Sequence, residues 1–226
     1  VVLPGKFIKE AVIAAAQAGV KGVSTDKPIE ARLSDVDAMV EECEKRGVIF
    51  AGGNLQRAMS EVQEAARWLR TGDYGPLRGA SVHNWGGEIS GGGCQHIAVL
   101  RLFTRAEITE VSAWGHPQEA LERTEDIGLV INGQFQLSNG LSCPVFGSTI
   151  DRKGVAVWTD DSLISWDWNP PTIFQGFDDK GARMAIARPY TPLEYPRFSY
   201  LGTSILSFLD VLENGGELYI SGHDLR

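Results

Sequence analysis

A lysine between an aspartate and a proline is the first group in this 226-residue chain that could take part in a reaction. Asp26, Lys27 and Pro28 follow a short run that predicts a strand, and open α/β sheets bind ligands at the carboxyl edge of their strands. A lysine there can donate a hydrogen bond to a substrate hydroxyl and share its proton. The alternative is a surface lysine before a turn that Pro28 holds in shape.

A histidine behind three glycines is the second such group. Gly91, Gly92 and Gly93 precede an apolar stretch, His96 to Phe103, that predicts a helix. The glycines allow a ligand to approach the backbone closely, and His96 falls in the first helical turn. A histidine titrates near neutral pH and suits proton transfer from an alcohol. The alternative is a capping or core histidine.

Two further polar stretches are candidates for ligand contact. Arg57 closes the segment after an apolar strand, where it could face a ligand or pair with an acid. Asn84 and Trp85 lie on a predicted loop before the glycines, and Trp with Asn suits the face of a polyol or sugar. A core tryptophan is the alternative for Trp85.

The composition narrows the possible partners. The formal net charge is −8, so we expect no nucleic-acid partner, which would require a basic face. No apolar run reaches the ~18 residues of a membrane span, so we expect no membrane partner. The three cysteines lack paired spacing, which predicts neither a disulfide framework nor a metal site.

Hydrophobic periodicity predicts a β-α-β-α-β order over residues 1–54, the pattern of a parallel α/β domain. A helix covers 7–18, a strand 21–25, a second helix runs from Ser34 to Gly47, and an apolar strand covers 48–51. We read Val1 to Pro4 as a buried strand already under way, and Ser221 to Asp224 as a helix N-cap. We therefore expect the chain to be an internal piece of a longer protein, with any targeting signal outside it.

Residues 55–226 follow a different pattern. A capped helix begins at Ser60, residues 78–85 look extended, and the glycine run opens the next helix. From about residue 107, short alternating runs are separated by Gly- and Asp-rich turns, and a last helix is closed by Gly215. This predicts an α+β domain with a mostly antiparallel open sheet, and the last helix is expected to pack back on the first domain.

Together these stretches resemble the Gfo/Idh/MocA family of NAD(P)-dependent oxidoreductases. In that family a strand ending in proline leads into an Ala-rich helix, then Gly, a strand and Glu-Lys-Pro. The similar segments here are Val1–Pro4, Ala11–Ala18, Gly19, Gly22–Thr25 and Asp26–Pro28. The helix from Asp37 to Val48, the segment Asn54–Arg57 and the glycine run before a histidine are also similar to the family pattern. The resemblance covers nearly the whole chain.

The resemblance implies a fold and a cofactor. Residues 1–54 would be the C-terminal part of a Rossmann-type dinucleotide-binding domain, and residues 55–226 the substrate-binding domain. The glycine-rich fingerprint for the dinucleotide would lie in roughly 90 residues before Val1, at about 30 residues per β-α unit. The cofactor would be NAD or NADP. Residues implied to bind it are Pro4, Asp26, Lys27, Pro28 and Arg57.

The resemblance also implies catalytic roles. Lys27 matches the lysine that orients the substrate hydroxyl, and His96 matches the histidine that accepts its proton. The family commonly has Asp four residues before that histidine, whereas position 92 is Gly here. Aligning Arg101 with the family's arginine instead puts Gln95 at the histidine position. Asn84, Trp85 and Gln95 are expected to contact substrate.

The expected function is hydride transfer between a nicotinamide cofactor and the CH–OH group of a sugar, polyol or related hydroxy compound. The alternative is a non-catalytic ligand-sensing or regulatory homologue of the same fold, favoured by the incomplete Lys/Asp/His set. A structural domain alone would leave Asp26 to Pro28 unexplained. We expect a small-molecule partner, a cytoplasmic protein and a homo-oligomer formed through the antiparallel sheet.

Overall fold

The structure is a computed structural model of the chain. It describes residues 1–3, 7–27, 29–30, 32–53, 55–84, 92–117, 130–147, 153–176, 180, 186–187 and 200–225. The chain divides into two compact units, one formed by residues 1–59 with 197–226 and the other by residues 60–196. Within the described ranges, no helix is both long and apolar enough to cross a bilayer.

The first unit contains a parallel pair of strands covered by helices. Its elements are α1 (Ile8–Gln17), β1 (Gly22–Thr25), α2 (Leu33–Lys45), β2 (Ile49–Gly52), a 3₁₀ helix (Leu55–Ala58), α5 (Tyr200–Asn214) and α6 (Gly222–Leu225). Strand β1 pairs with β2 from Gly22 opposite Ile49 to Thr25 opposite Gly52. The apolar stripes of α1 and α2 form one buried cluster with Val23 and Phe50. Burial of these stripes is what the helical periodicity predicted.

Residues 1–3 differ from the sequence expectation of a buried strand. The backbone of Val1 bonds to Ser24 and Asp26 alongside β1, but residues 1–3 form no strand. The side chain of Val2 is 80% exposed. The apolar composition of this segment predicted burial, but a run of apolar residues is buried only where another element covers it, and no described element covers Val2.

The C-terminal helices belong to the first unit. Ser221 and Asp224 form a capping box: the Asp224 backbone N–H donates to Ser221 Oγ, and Asp224 Oδ2 accepts from the Ser221 N–H at 2.9 Å. A Cβ built on Gly53 would overlap the Leu225 side chain, so the glycine allows α6 to pack tightly at the end of β2. Helix α5 packs on β2 and on the 3₁₀ helix.

The second unit is built on an eight-stranded sheet with the order β10-β9-β8-β7-β3-β6-β5-β4. Its strands are β3 (Leu77–His83), β4 (Ile108–His116), β5 (Val130–Leu137), β6 (Ser142–Phe146), β7 (Gly154–Thr159), β8 (Ser162–Trp166), β9 (Thr172–Gln175) and β10 (Ile186–Ala187). All neighbouring strands are antiparallel except β3 and β6. Helices α3 (Ser60–Thr71) and α4 (Cys94–Thr104) complete the unit, and α4 packs on β3 and β7.

Strand direction brings three strand termini to one edge of this sheet. Because β7 runs antiparallel to both β3 and β8, its start lies beside their ends. Gly154 is therefore paired with His83, and Val155 with Trp166. A parallel sheet in one unit and a mostly antiparallel sheet in the other confirm the predicted fold class.

Candidate functional site

Lys27 lies immediately after β1, with its side chain exposed to solvent. The neighbouring Asp26 turns its carboxylate back onto the chain, where Oδ1 accepts a 2.8 Å hydrogen bond from the Lys27 backbone N–H. The short loop is thus held by a local Asp contact, and the ammonium group is left at the carboxyl edge of the parallel sheet. This is the position that the sequence predicted for a ligand-facing lysine.

The end of β1 also contains a buried hydroxyl. Thr25 is 5% exposed, and its Oγ1 has no hydrogen-bond partner among the residues that the structure describes. Opposite it, Gly52 has φ +130°, and a Cβ there would overlap the Thr25 backbone. Only glycine permits this approach of the two strand ends. An unsatisfied buried hydroxyl costs free energy, which a bound polar group would recover.

Arg57 forms an ion pair with Asp224. Pairing with an acid was one of the two alternatives that the sequence left open for this residue. Its Nη1 lies 3.1 Å from Asp224 Oδ1, and both side chains are largely buried. The same aspartate caps α6 through its other oxygen. The ion pair therefore fixes the 3₁₀ helix to the last helix of the first unit, and a cofactor contact by Arg57 stays a prediction.

Three predicted site residues, Pro4, Pro28 and Trp85, lie outside the described residues. Asn84 follows β3 with φ +42°, and its backbone N–H donates to the Phe146 carbonyl at 2.6 Å. Gln95 is 3% exposed in the first turn of α4. Both residues are close in sequence to the histidines His83 and His96.

His96 lies in the first turn of α4, as predicted, but it is completely buried. Its Nδ1 is 2.9 Å from the carbonyl oxygen of Gly92. A carbonyl can only accept, so Nδ1 carries the proton and Nε2 carries the lone pair. Nε2 has no hydrogen-bond partner within the described part of the chain. The ring is therefore a neutral tautomer, and its basic nitrogen accepts no hydrogen bond from the described residues.

The surroundings of His96 keep it neutral. Burial lowers the pKa of His96 to about 4, although the bond to the Gly92 carbonyl favours the protonated ring. The positive charge of Lys153 and the nearby His83 lower this pKa further. At neutral pH the group is an acceptor of protons and carries no charge of its own.

Two tryptophans enclose the imidazole. The ring centroid of His96 lies 5.5 Å from that of Trp166 and 5.7 Å from that of Trp168, both in edge-to-face geometry. The two indoles stack on each other at 5.5 Å. Neither indole Nε1 has a hydrogen-bond partner in the described ranges, although both atoms are buried. Tryptophan usually pairs its N–H when it is buried, so two unsatisfied donors beside an unsatisfied acceptor are unusual.

A cation lies against this aromatic group. Lys153 Nζ is 5.1 Å from the centroid of Trp168, within cation–π distance. His83 stacks on Phe146, and its Nε2 is 2.7 Å from Ser81 Oγ. Burial lowers the pKa of His83. We call His83, His96, Lys153, Trp166 and Trp168 the indole cluster.

Sequence reasoning missed most of the indole cluster. The sequence pattern does not single out Trp166, Trp168 or Lys153 as site residues. The signal available in the sequence was a pair of tryptophans, Trp166 and Trp168, near the end of a predicted strand. The strand that pairs with it begins directly after Lys153. Their contact with His96 depends on strand pairing, which the local pattern does not specify.

The described residues contain no group of three or more His, Cys, Asp or Glu that could hold a metal ion. Cys143 is buried, and burial raises its pKa to about 12. This thiol is not a nucleophile at neutral pH, because only the thiolate reacts.

Comparison with known proteins gives one sequence relative and many related structures. No family model matches the chain. A stretch of 77 residues is 37% identical to the 2,7-anhydro-N-acetylneuraminate hydratase of Mediterraneibacter gnavus. The match covers 34% of this chain and only 20% of that relative's length.

Solved structures match over nearly the entire chain. Aldose-aldose oxidoreductase from Caulobacter crescentus, complexed with glycerol, has a TM-score of 0.77 at 20% identity, over 98% of this chain and 70% of that chain. UDP-N-acetylglucosamine 3-dehydrogenase from Acidithiobacillus ferrooxidans has a TM-score of 0.73 at 19% identity, over 99% and 71%.

An oxidoreductase from Agrobacterium radiobacter in complex with NAD+, L-tartaric acid and magnesium has a TM-score of 0.73 at 16% identity, over 98% of this chain and 71% of that chain. At these identities the likeness concerns the fold. The resemblance inferred from the sequence is confirmed at that level: the chain has the fold of the Gfo/Idh/MocA-type oxidoreductases.

Proposed function

We propose that this chain belongs to an oxidoreductase that transfers hydride between NAD(P) and the CH–OH group of a sugar, polyol or related hydroxy compound. In the oxidative direction the C–H bond breaks with its electron pair, the O–H bond gives up a proton, and a carbonyl forms. By the resemblance, Lys27 would orient the hydroxyl by donating a hydrogen bond, and His96 would accept the proton at Nε2. In the reverse reaction, the carbonyl carbon receives the hydride and the carbonyl oxygen receives the proton.

The tautomer of His96 carries this proposal. A proton acceptor must be neutral and must present a lone pair, and His96 meets both conditions through its buried environment and its bond to Gly92. A pKa near 4 makes it a weak base. A weak base is sufficient here, because an alcohol that is losing hydride becomes a protonated carbonyl and hence a strong acid.

The first unit has a polar edge suited to the nicotinamide end of the cofactor. The unsatisfied Thr25 hydroxyl lies at the carboxyl end of β1, directly before Asp26 and Lys27. Thr25, Asp26 and Lys27 would contact the cofactor there, together with Pro4, Pro28 and Arg57 by resemblance. When bound, the cofactor accepts or donates the hydride. The chain's own residues orient the hydroxyl and move its proton.

The comparisons support the same chemistry at a coarser level. The structural neighbours include a sugar dehydrogenase, an aldose oxidoreductase and an NAD+ complex. The sequence relative is named for water addition to a sialic acid derivative. A substrate panel should therefore hold aldoses, polyols, sugar acids and 2,7-anhydro-N-acetylneuraminate.

The test uses the complete natural protein that contains this chain. Formation of NADH or NADPH is followed by absorbance with each compound of the panel. Lys27→Met and His96→Gln are measured beside Lys21→Met, which makes the same change at an exposed lysine before the other end of β1. We expect Lys27→Met and His96→Gln to lower kcat/KM about 100-fold or more, as for loss of a group in proton transfer, with Lys21→Met unchanged.

Two results would contradict the assignment. Full turnover by both site variants would show that neither Lys27 nor His96 takes part in the reaction. Cofactor binding without turnover of any compound would favour the alternative function, a sensor or regulator that retains the fold. Circular dichroism of His96→Gln separates loss of chemistry from loss of fold.

A further inference from the structure

We propose that the indole cluster is an anion subsite that recognises the carboxylate of an acidic sugar, with Lys153 and Trp168 as the residues that set this preference. This inference rests on the proposed function, because it names the substrate class of that same site. The carboxylate would lie against the Lys153 ammonium and accept from an indole N–H.

The cluster is assembled by strand pairing at one edge of the second unit. His83 ends β3, Gly154 begins β7 directly after Lys153, and Trp166 ends β8. The register pairs Gly154 with His83 and Val155 with Trp166. Helix α4 packs on β3 and β7, which brings His96 against the indoles. Residues from four elements therefore meet around the proposed base.

The one formally charged side chain of the indole cluster is that of Lys153. Lys153 is cationic and lowers the pKa of His96, whereas burial lowers the pKa of His83 and favours its neutral ring. Within the described ranges, neither Lys153 nor His83 lies in an ion pair with a carboxylate. Asp167 is near in sequence, but its carboxylate accepts from the Asn169 amide at 3.3 Å. A cation with no ion-pair partner among the described residues, in a protein of net charge −8, favours an anionic ligand.

Three buried polar atoms of the cluster also have no hydrogen-bond partner among the described residues. Trp166 is completely buried, yet its Nε1–H donates to no described residue, and the same holds for the buried Nε1 of Trp168. His96 adds an acceptor, Nε2. The two donors suit carboxylate oxygens, and the acceptor suits a sugar hydroxyl.

Backbone strain singles out the same residues. Trp168 has φ +73°, a conformation that is unfavourable for a bulky residue. Gly154 has φ +142°, and a Cβ there would overlap the carbonyl oxygen of Trp166. The chain thus accepts a strained tryptophan and a close backbone approach next to Lys153.

A carboxylate fits better than a phosphate. One ammonium and two neutral N–H donors match a single negative charge. A phosphate dianion is usually held by several charged donors or by a run of backbone N–H groups. The cluster therefore favours a uronic or aldonic acid over a sugar phosphate.

The test compares glucuronate with glucose, which differ only in carboxylate against hydroxymethyl at C6. Binding is followed without cofactor by tryptophan fluorescence and by calorimetry, using the complete natural protein. We expect glucuronate to bind at least about tenfold more tightly, the fold-change for a charge-assisted hydrogen bond. Lys153→Met should reduce this ratio to about twofold or less, and Lys153→Arg should retain most of it.

Controls separate the subsite from general effects. Lys21→Met removes one positive charge from an exposed site in the other unit and should leave the ratio unchanged. Trp168→Phe keeps an aromatic face, removes the indole N–H, and should lower glucuronate affinity more than glucose affinity. A ratio near one in the wild type, an unchanged ratio in Lys153→Met, or tighter binding of glucose 6-phosphate would overturn the subsite.

The two proposals fail in different ways. Lys153-dependent binding of glucuronate without NADH or NADPH formation from any sugar would leave the subsite standing and contradict the proposed function. Turnover of glucose and glucuronate with equal kcat/KM and equal affinity would support the proposed function and remove the subsite.

Discussion

The imidazole Nδ1 of His96 donates a 2.9 Å hydrogen bond to the carbonyl oxygen of Gly92, four residues earlier in the chain. This bond assigns the proton to Nδ1 and leaves Nε2 as the basic atom. Gly92 stands where the resembling family commonly has an aspartate. A backbone carbonyl fixes the tautomer without adding a charge, so the ring remains buried among two indoles as a neutral group.

Protein stability should depend on pH through His96. The pKa of His96 falls from about 6.5 in the unfolded chain to about 4 in the folded protein, so between these values the unfolded state binds more protons. The stability that comes from keeping His96 neutral is therefore fully present above pH 6.5. It is lost as pH falls toward 4, and the free energy of unfolding decreases by roughly 3 kcal/mol. Urea unfolding at several pH values measures it.

Two variants check that slope. His96→Gln should flatten the dependence of the free energy of unfolding on pH in this window, whatever its effect at pH 8. His116→Gln changes an exposed histidine of the same unit and should keep the wild-type slope. An NMR titration of the His96 ring protons with a midpoint near pH 6.5 would contradict the prediction.

Gly154 should tolerate no side chain. Its φ of +142° and the approach of the Trp166 carbonyl leave no room for a Cβ. We expect Gly154→Ala to destabilise the protein by about 3 kcal/mol or more, the range of severe backbone effects. Gly140 has φ +87° with nothing within 4 Å of its Cβ position, so Gly140→Ala should cost only about 1–2 kcal/mol. Thermal unfolding compares the two, and equal losses would mean that contact with Trp166 is unimportant.

Asp224 should contribute more to stability than its position near the last residue of the chain suggests. It pairs with Arg57 at 3.1 Å and caps α6 through Ser221 at 2.9 Å. Asp224→Asn should lower stability by about 1–2 kcal/mol, the effect of losing a cap together with a partly buried ion pair. Hydrogen exchange of residues 221–225 should rise in the same variant.

The matched control for Asp224 is an exposed bridge in the second unit. Asp160 accepts two bonds from Arg78, at 2.7 and 3.0 Å, and Arg78 lowers the pKa of Asp160. Both side chains are about half exposed, so solvent screens the pair. Asp160→Asn should leave the unfolding midpoint almost unchanged. A larger loss there than in Asp224→Asn would refute the argument from burial.

Association through the antiparallel sheet remains a prediction. The sheet ends at β4, where Val111 is 61% and Trp114 is 63% exposed. Large exposed apolar side chains on an edge strand favour contact with another chain. We expect light scattering to give an oligomer mass, and Val111→Glu with Trp114→Glu to reduce it to one chain. Glu110→Gln on the same strand is the control, and a monomeric wild type at tens of micromolar would contradict the prediction.

Hydrophobic periodicity was enough to predict several elements. Helix α1 covers Ile8–Gln17 within the predicted range 7–18, and the last long helix ends at Asn214 before Gly215, which has φ +76°. The capping box at Ser221 and Asp224 is also confirmed. These features depend on residues within one or two turns of each other, so they can be read locally.

Periodicity was less informative about which apolar residues are covered. Ile205 and Leu209 belong to the predicted apolar stripe of the last helix, yet they are 52% and 46% exposed. Phe208 and Leu212 instead reach Gly22, where a Cβ would come within 2.8 Å of either side chain. A stripe shows which residues share a helix face, whereas burial depends on the width of the partner surface.

The sequence by itself determined the order of the elements, the parallel and antiparallel character of the two sheets, and the position of Lys27 after β1. It also located His96 in the first turn of a helix. Only the tertiary structure decided that Lys153, Trp166 and Trp168 lie around that histidine, because the pairing of β3 with β7 and the packing of α4 bring together residues more than 50 positions apart. The tertiary structure also sets the pKa of His96, because desolvation depends on all the groups that surround the ring in space.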